Sequence, residues 1–163
     1  MKKVLVVMGS DSDLKVMEKC VDRLKSFDIP TEVRICSAHR TPAAAEQLAK
    51  NAAAKASALS SRQQARPPHL GGVLAAYTTL PVIGVPMATS VMGGMDSLLS
   101  IVQMPKGIPV ATVAIDGADN AAILAAQMIA LSDDALAQKL AQFKADMAAE
   151  VTAKDEKVRA QFA

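Results

Sequence analysis

Three short polar clusters hold the side chains that could do chemistry. The first is Gly9-Ser10-Asp11-Ser12-Asp13. Ser10 and Ser12 can donate to phosphate oxygens, whereas the carboxylates of Asp11 and Asp13 suit sugar hydroxyls. Ser12 or Asp13 equally suits the cap of a following helix. The second cluster is Ser37-Ala38-His39-Arg40-Thr41-Pro42. His39 is one of two histidines in the chain, and an imidazole suits general acid–base work near neutral pH. Its plainer role is a loop histidine satisfying backbone groups. Arg40 offers a planar fork for phosphate or carboxylate. The third cluster lies in Met92–Pro105, where Gly93 and Gly94 permit a tight turn or close ligand approach. Asp96 or Ser97 can begin a helix there, and a loop with a short core helix is all that the spacing requires. No Cys/His/Asp spacing suits zinc, so no metal site is expected. Walker and Gly-x-Gly-x-x-Gly loops are absent, against triphosphate and dinucleotide ligands.

The elements around these clusters decide whether the clusters can meet. Val4-Leu5-Val6-Val7-Met8 is an apolar, β-branched run that suits a strand buried on both faces. Leu14, Met17, Cys20, Val21 and Leu24 then recur at the spacing of one helix face. The first cluster therefore sits in a strand-to-helix turn, where free amides and the helix dipole favour an anion. Thr31–Cys36 reads as a second strand, so Ser37–Arg40 follows another strand end. Thr41 can cap the next helix and Pro42 fits its first position. An alanine-rich helix runs to about Lys55, a strand is required at about Ala56–Arg62, and helix resumes near His69. Strands at Leu80–Val85 and Pro109–Ile115 flank a helix over Met95–Val102. Ala118–Leu131 reads as a buried helix. Leu136, Leu140, Phe143, Met147 and Val151 form one stripe of a final helix, which should pack on the domain or on a neighbouring subunit. The charged stretch 152–163 is expected to fray.

Strands alternating with helices imply an α/β fold, a doubly wound parallel sheet covered on both sides in a flavodoxin-like three-layer sandwich with a C-terminal helix. In such sheets a ligand sits at the carboxyl ends of the strands, beside the switch point. Both serine-rich turns occupy such ends. The 163 residues fit one domain, with half of them apolar. A net charge of +2 gives no nucleic-acid or anionic-membrane surface. No apolar run spans a membrane and no secretory leader is seen, so a cytoplasmic protein with Cys20 and Cys36 reduced is expected.

The stretches MGSDSD, SAHRTP, TTLPVIGVP and DSLLSIVQMPKGIPVATVAI, in order across nearly the whole chain, resemble the N5-carboxyaminoimidazole ribonucleotide mutases of purine biosynthesis. The related carboxylases that use free carbon dioxide typically carry lysine after the SAH triplet. Arg40 and the IVQMP at Ile101–Pro105 side with the mutases. The resemblance implies an isomerase that needs no metal or organic cofactor, acts on a small ribonucleotide on the route to IMP, and assembles as a homo-octamer with sites shared between subunits. It implies His39 as the proton carrier, with Ser10, Ser12, Asp13, Ser37, Arg40, His69 and Leu70 binding the substrate.

One segment departs from the family, which continues here with a hydrophobic strand and a loop rich in glycine and alanine. Residues 56–68, which include Ser60-Ser61-Arg62-Gln63-Gln64-Ala65-Arg66-Pro67-Pro68, lack both. A central strand is still needed, because an unpaired gap would strand buried backbone groups at roughly 1–3 kcal/mol each. A compensated shift of reading frame through Leu59–Pro67 restores Leu-Ile-Ala-Ala-Ala-Gly-Ala-Ala under one choice of codons. The altered segment leaves a non-catalytic ribonucleotide-binding relative as the alternative to the mutase and the carboxylase.

Overall fold

The computed structural model describes residues 2–54, 57–63, 70–90 and 92–163. Five parallel strands form one sheet in the order β2-β1-β3-β4-β5. They are β1 (Lys3–Met8), β2 (Thr31–Ile35), β3 (Ser57–Gln63), β4 (Val82–Pro86) and β5 (Ala111–Thr112). The helices are α1 (Leu14–Ser26), α2 (Pro42–Ala54), α3 (Leu70–Ala76), α4 (Met95–Val102), α5 (Ala118–Ala130) and α6 (Asp134–Phe162). The chain leaves β1 toward β2 on one side and returns to build β3, β4 and β5 on the other. The switch point therefore lies between β1 and β3, as expected for a doubly wound sheet.

β1 is buried along Val4–Met8, consistent with its unbroken apolar run. Leu5 and Val7 join Ala45, Ala49, Leu74 and Val82 in a core under α2 and α3. Alternate residues Val4, Val6 and Met8 point to the opposite face and are equally buried. On α1, Met17, Cys20 and Leu24 are buried at helical spacing. Arg23 Nε donates to Asp119 Oδ1 at 2.8 Å and ties α1 to the start of α5. Cys20 and Cys36 are free, buried thiols.

The required strand exists on the backbone. β3 pairs Lys3↔Ser57 through Val7↔Ser61 with β1, and Leu59↔Val82 through Gln63↔Pro86 with β4. The loop expected after it, and the side chains on which the reading-frame idea bears, fall outside the described residues. β5 is shorter than the expected Pro109–Ile115. After its regular pairs, Val113 N–H reaches Gly84 O at 3.1 Å, and the next bond runs from Asp116 N–H to Pro86 O at 2.9 Å. Beyond Val113 the chain turns, with Gly117 N–H donating to Ala114 O at 2.9 Å, and regular pairing ends.

The chain divides into two compact units, Met1–Ala125 with the sheet and Ala126–Ala163 with α6. On α6, Leu136 is buried, Leu140 and Phe143 are half-buried, and Met147 and Val151 are exposed. α6 runs on through the stretch 152–163 to Phe162. Its Ala, Glu, Lys, Arg and Gln residues are strong helix formers, and Lys154 pairs with Glu150 one turn away. No described helix is long and apolar enough to cross a membrane.

Candidate active site

β1 and β2 deliver the two polar turns to one place. Their register runs Val4↔Thr31 to Met8↔Ile35. One residue further, Cys36 N–H donates to Met8 O at 2.8 Å. The chains separate only after that bond, so Gly9–Asp13 and Ser37–Arg40 start as neighbours beside the switch point.

The first turn is organised by Ser10 and Asp13. Residues Asp11–Asp13 form a single 3-10 turn before α1, and Ser10, in extended backbone, is its cap. Ser12 N–H donates to Ser10 Oγ at 3.4 Å, and Ser10 N–H donates to Asp13 Oδ2 at 3.3 Å. This is a capping box, in which each side chain satisfies the other's end of the turn. The sequence suggested Ser12 or Asp13 as the cap of α1, but Asp13 makes no side-chain cap bond to that helix. Its carboxylate turns back toward Ser10 instead, and the residue is 1 % exposed.

The remaining polar atoms of this turn are linked to one another. Ser10 Oγ donates to Asp11 Oδ1 at 2.9 Å, and Asp11 Oδ1 also accepts Ser12 N–H at 3.0 Å. Ser12 Oγ lies 3.2 Å from Ser10 Oγ and 3.1 Å from Asp13 Oδ1. The Ser10 hydroxyl, and next the Ser12 amide, hold the Asp11 carboxyl below its ordinary value. The sequence offered Asp11 to sugar hydroxyls, but its Oδ1 is taken by the two neighbouring serines of its own turn.

The second turn is closed by Thr41. Its Oγ1 donates to Ser37 O at 2.9 Å and accepts Ser37 N–H at 3.1 Å. Its carbonyl accepts Ala45 N–H as α2 begins, so Thr41 starts that helix while its hydroxyl serves the loop. Ser37 Oγ accepts Arg40 N–H at 3.2 Å. His39 and Arg40, at the tip of this turn, are exposed. Leu70 opens α3 but is 2 % exposed and packed in the core, which leaves only its backbone for a ligand. His69 lies outside the described residues.

The turn after β4 is the third piece at this end of the sheet. Gly93 and Gly94 adopt left-handed backbone, as their sequence suggested. A Cβ on Gly94 would stand 2.5 Å from Met87 O, so the close approach there is to the protein's own backbone. Thr89 and Asp116 were not anticipated. Thr89 Oγ1 donates to Asp96 Oδ1 at 3.0 Å, and Asp116 Oδ1 accepts Ala88 N–H at 3.1 Å. The Asp116-Gly117 dipeptide is a turn signal that marked the place but not the partner.

A family model described as AIR carboxylase matches residues 3–150. The N5-carboxyaminoimidazole ribonucleotide mutase of Methanocaldococcus jannaschii is 48% identical over 159 residues, covering 98% of this chain and 99% of that protein. The mutase of the same name from Mycobacterium leprae is 49% identical over 153 residues, 94% of this chain and 90% of that one. The crystal structure of Treponema denticola PurE matches with a TM-score of 0.88 at 29% identity, covering 96% and 98% of the two chains.

Proposed function

We infer the reaction from a premise that the family match supplies: this chain belongs to the AIR carboxylase family. Within it, the chain is an isomerase that moves the carboxylate of N5-carboxyaminoimidazole ribonucleotide from the exocyclic nitrogen to the imidazole ring carbon. The observation that carries this reading is the 48% identity, over nearly its full length, to a mutase of that name. Arg40 after Ser37-Ala38-His39 points the same way.

The chemistry balances with one proton carrier. Breaking the N–C bond releases carbon dioxide, and the nitrogen takes up a proton. Carbon–carbon bond formation to the same carbon dioxide then releases one proton from the ring carbon. His39, at the exposed tip of the second turn, can give the first proton and take the second. Ser10 and Ser12 donate to the phosphate, Arg40 adds a charge-assisted fork, and the buried Asp13 carboxylate holds the turn on the ribose side. Ser37 lines the same crevice, with the Leu70 backbone at the start of α3, and the family resemblance adds His69 to the substrate-binding set. Neither metal nor organic cofactor is required for this balance.

The active form is a homo-octamer. Met95, Leu99 and Val102 recur on one stripe of α4 and are 41%, 48% and 50% exposed, an apolar surface suited to burial between copies. The protein works in the cytoplasm, on the route to IMP. Two assays test the reading: turnover of the carbamate ribonucleotide, and of aminoimidazole ribonucleotide with bicarbonate. Activity with the first alone supports the mutase. Activity with the second assigns a carboxylase, and activity with neither assigns a binding relative.

A further inference from the structure

Three successive residues beyond β4 are each held by a side-chain oxygen from elsewhere in the fold. Met87 N–H donates to Ser97 Oγ at 3.0 Å, and both residues are buried. Ala88 N–H donates to Asp116 Oδ1 at 3.1 Å, and Thr89 Oγ1 donates to Asp96 Oδ1 at 3.0 Å. Ser97 and Asp96 belong to the first turn of α4, while Asp116 lies beyond β5. Asp116 holds a left-handed φ of 56°, a conformation disfavoured for a residue with a Cβ. A connection between a strand and a helix needs no such set of fixings. Rigid anchoring of this kind is what a segment needs in order to present a defined wall to a ligand.

The location agrees with that use. In the strand order, β3 alone separates β4 from β1. The carboxyl ends of β4 and β1 are therefore two strand spacings apart, about 10 Å. A ribonucleotide seated against the turns after β1 and β2 and extending across β3 reaches Met87–Thr89.

We propose that Thr89 and Asp96 are a positioning pair for the reaction, fixing Met87–Thr89 as the far wall of the substrate crevice. Asp96 Oδ1 accepts a hydrogen bond from the Thr89 hydroxyl and so sets the backbone of the residues before Thr89. This inference rests on the mutase reading and adds to it two residues that act through backbone placement rather than on the reacting atoms.

Thr89→Val keeps the shape and removes the hydroxyl, and Thr89→Ser keeps the hydroxyl. With the full-length protein and the carbamate ribonucleotide, Thr89→Val is expected to raise KM about two- to tenfold, the range of one lost hydrogen bond. Its kcat should stay within about twofold of the parent, and Thr89→Ser should restore KM to within about twofold. An unchanged KM in Thr89→Val, or an equal rise in both variants, overturns the pair. A lowered Tm with KM untouched marks a purely structural bond and overturns it as well. Should the parent turn over neither substrate, the reaction assignment fails, and calorimetric titration with aminoimidazole ribonucleotide decides the pair separately. Weaker binding by Thr89→Val alone then upholds it, and equal Kd values across the three proteins overturn it.

Discussion

The amide of Cys36 donates to the carbonyl of Met8 at 2.8 Å, one residue past the last register pair of β1 and β2. That bond starts the His39 turn and the Ser10 turn as neighbours, as the proposed site requires. His39→Asn should abolish turnover while ribonucleotide binding stays within about tenfold, or 1.4 kcal/mol. Arg40→Ala should instead weaken binding, because a phosphate loses a charge-assisted partner. Full activity in His39→Asn, or an unchanged Kd in Arg40→Ala, would remove the respective role.

Asp11 gives the turn after β1 a pH signature. Its folded carboxyl titrates below the ordinary value of 3.8, first because Ser10 donates to it and then because the Ser12 amide does. A depressed folded pKa contributes stability above the unfolded value, and that contribution is lost as pH falls through the folded value. Carbon-13 titration should therefore place the Asp11 midpoint below 3.8, and Ser10→Ala should move it upward. A midpoint at or above 3.8 in the parent protein would contradict the hydrogen-bonded turn.

The two glycines before α4 should respond differently to a methyl group. At Gly94, with φ 95°, a Cβ would lie 2.5 Å from Met87 O and 3.1 Å from Ile115 Cγ2. Gly94→Ala should cost about 2–5 kcal/mol, from left-handed strain of about 1–2 and overpacking of about 1–3. At Gly93, with φ 62°, a Cβ meets no atom of the described residues within 4 Å. Only the strain remains, about 1–2 kcal/mol. Urea denaturation of both variants measures the difference, and equal losses would show that crowding at Met87 is unimportant.

Assembly can be tested on the same helix. Light scattering should report about eight times the 17.0 kDa protomer. Leu99→Glu, which places a charge in the middle of the exposed α4 stripe, should lower that mass. A stable monomer at micromolar concentration would rule out the octamer.

Much of the architecture was legible because burial leaves a pattern. The Val4–Met8 run and the Met17, Cys20, Leu24 spacing identify β1 and α1. β3 was legible only by topology, since its Ser-Ser-Arg-Gln composition argues against a central strand while the sheet demands one. What escaped depends on contacts between distant residues. The early end of β5 follows from bonds of Val113 and Asp116 to Gly84 and Pro86, which no local pattern encodes. The Ala88–Asp116 bond spans 28 residues for the same reason. At Asp13 the sequence offered a ligand carboxylate or a helix cap, and the direction of its carboxylate, back toward Ser10, was not legible. A capping residue and a ligand look alike until the partner amide is seen.

The closed network of the first turn has a consequence for what the proposed site would discriminate. Ser10 Oγ already donates to Asp11 at 2.9 Å, and Ser12 Oγ has Ser10 Oγ and Asp13 Oδ1 within reach. An incoming phosphate that uses these hydroxyls exchanges one anionic acceptor for another and adds few hydrogen bonds to the total. In that proposed role the carboxylates would be tethered competitors for the serine hydroxyls. On the proposed phosphate reading, a nucleoside without its phosphate would offer no acceptor strong enough to win that exchange, and selection against dephosphorylated compounds would be set by the resting turn itself.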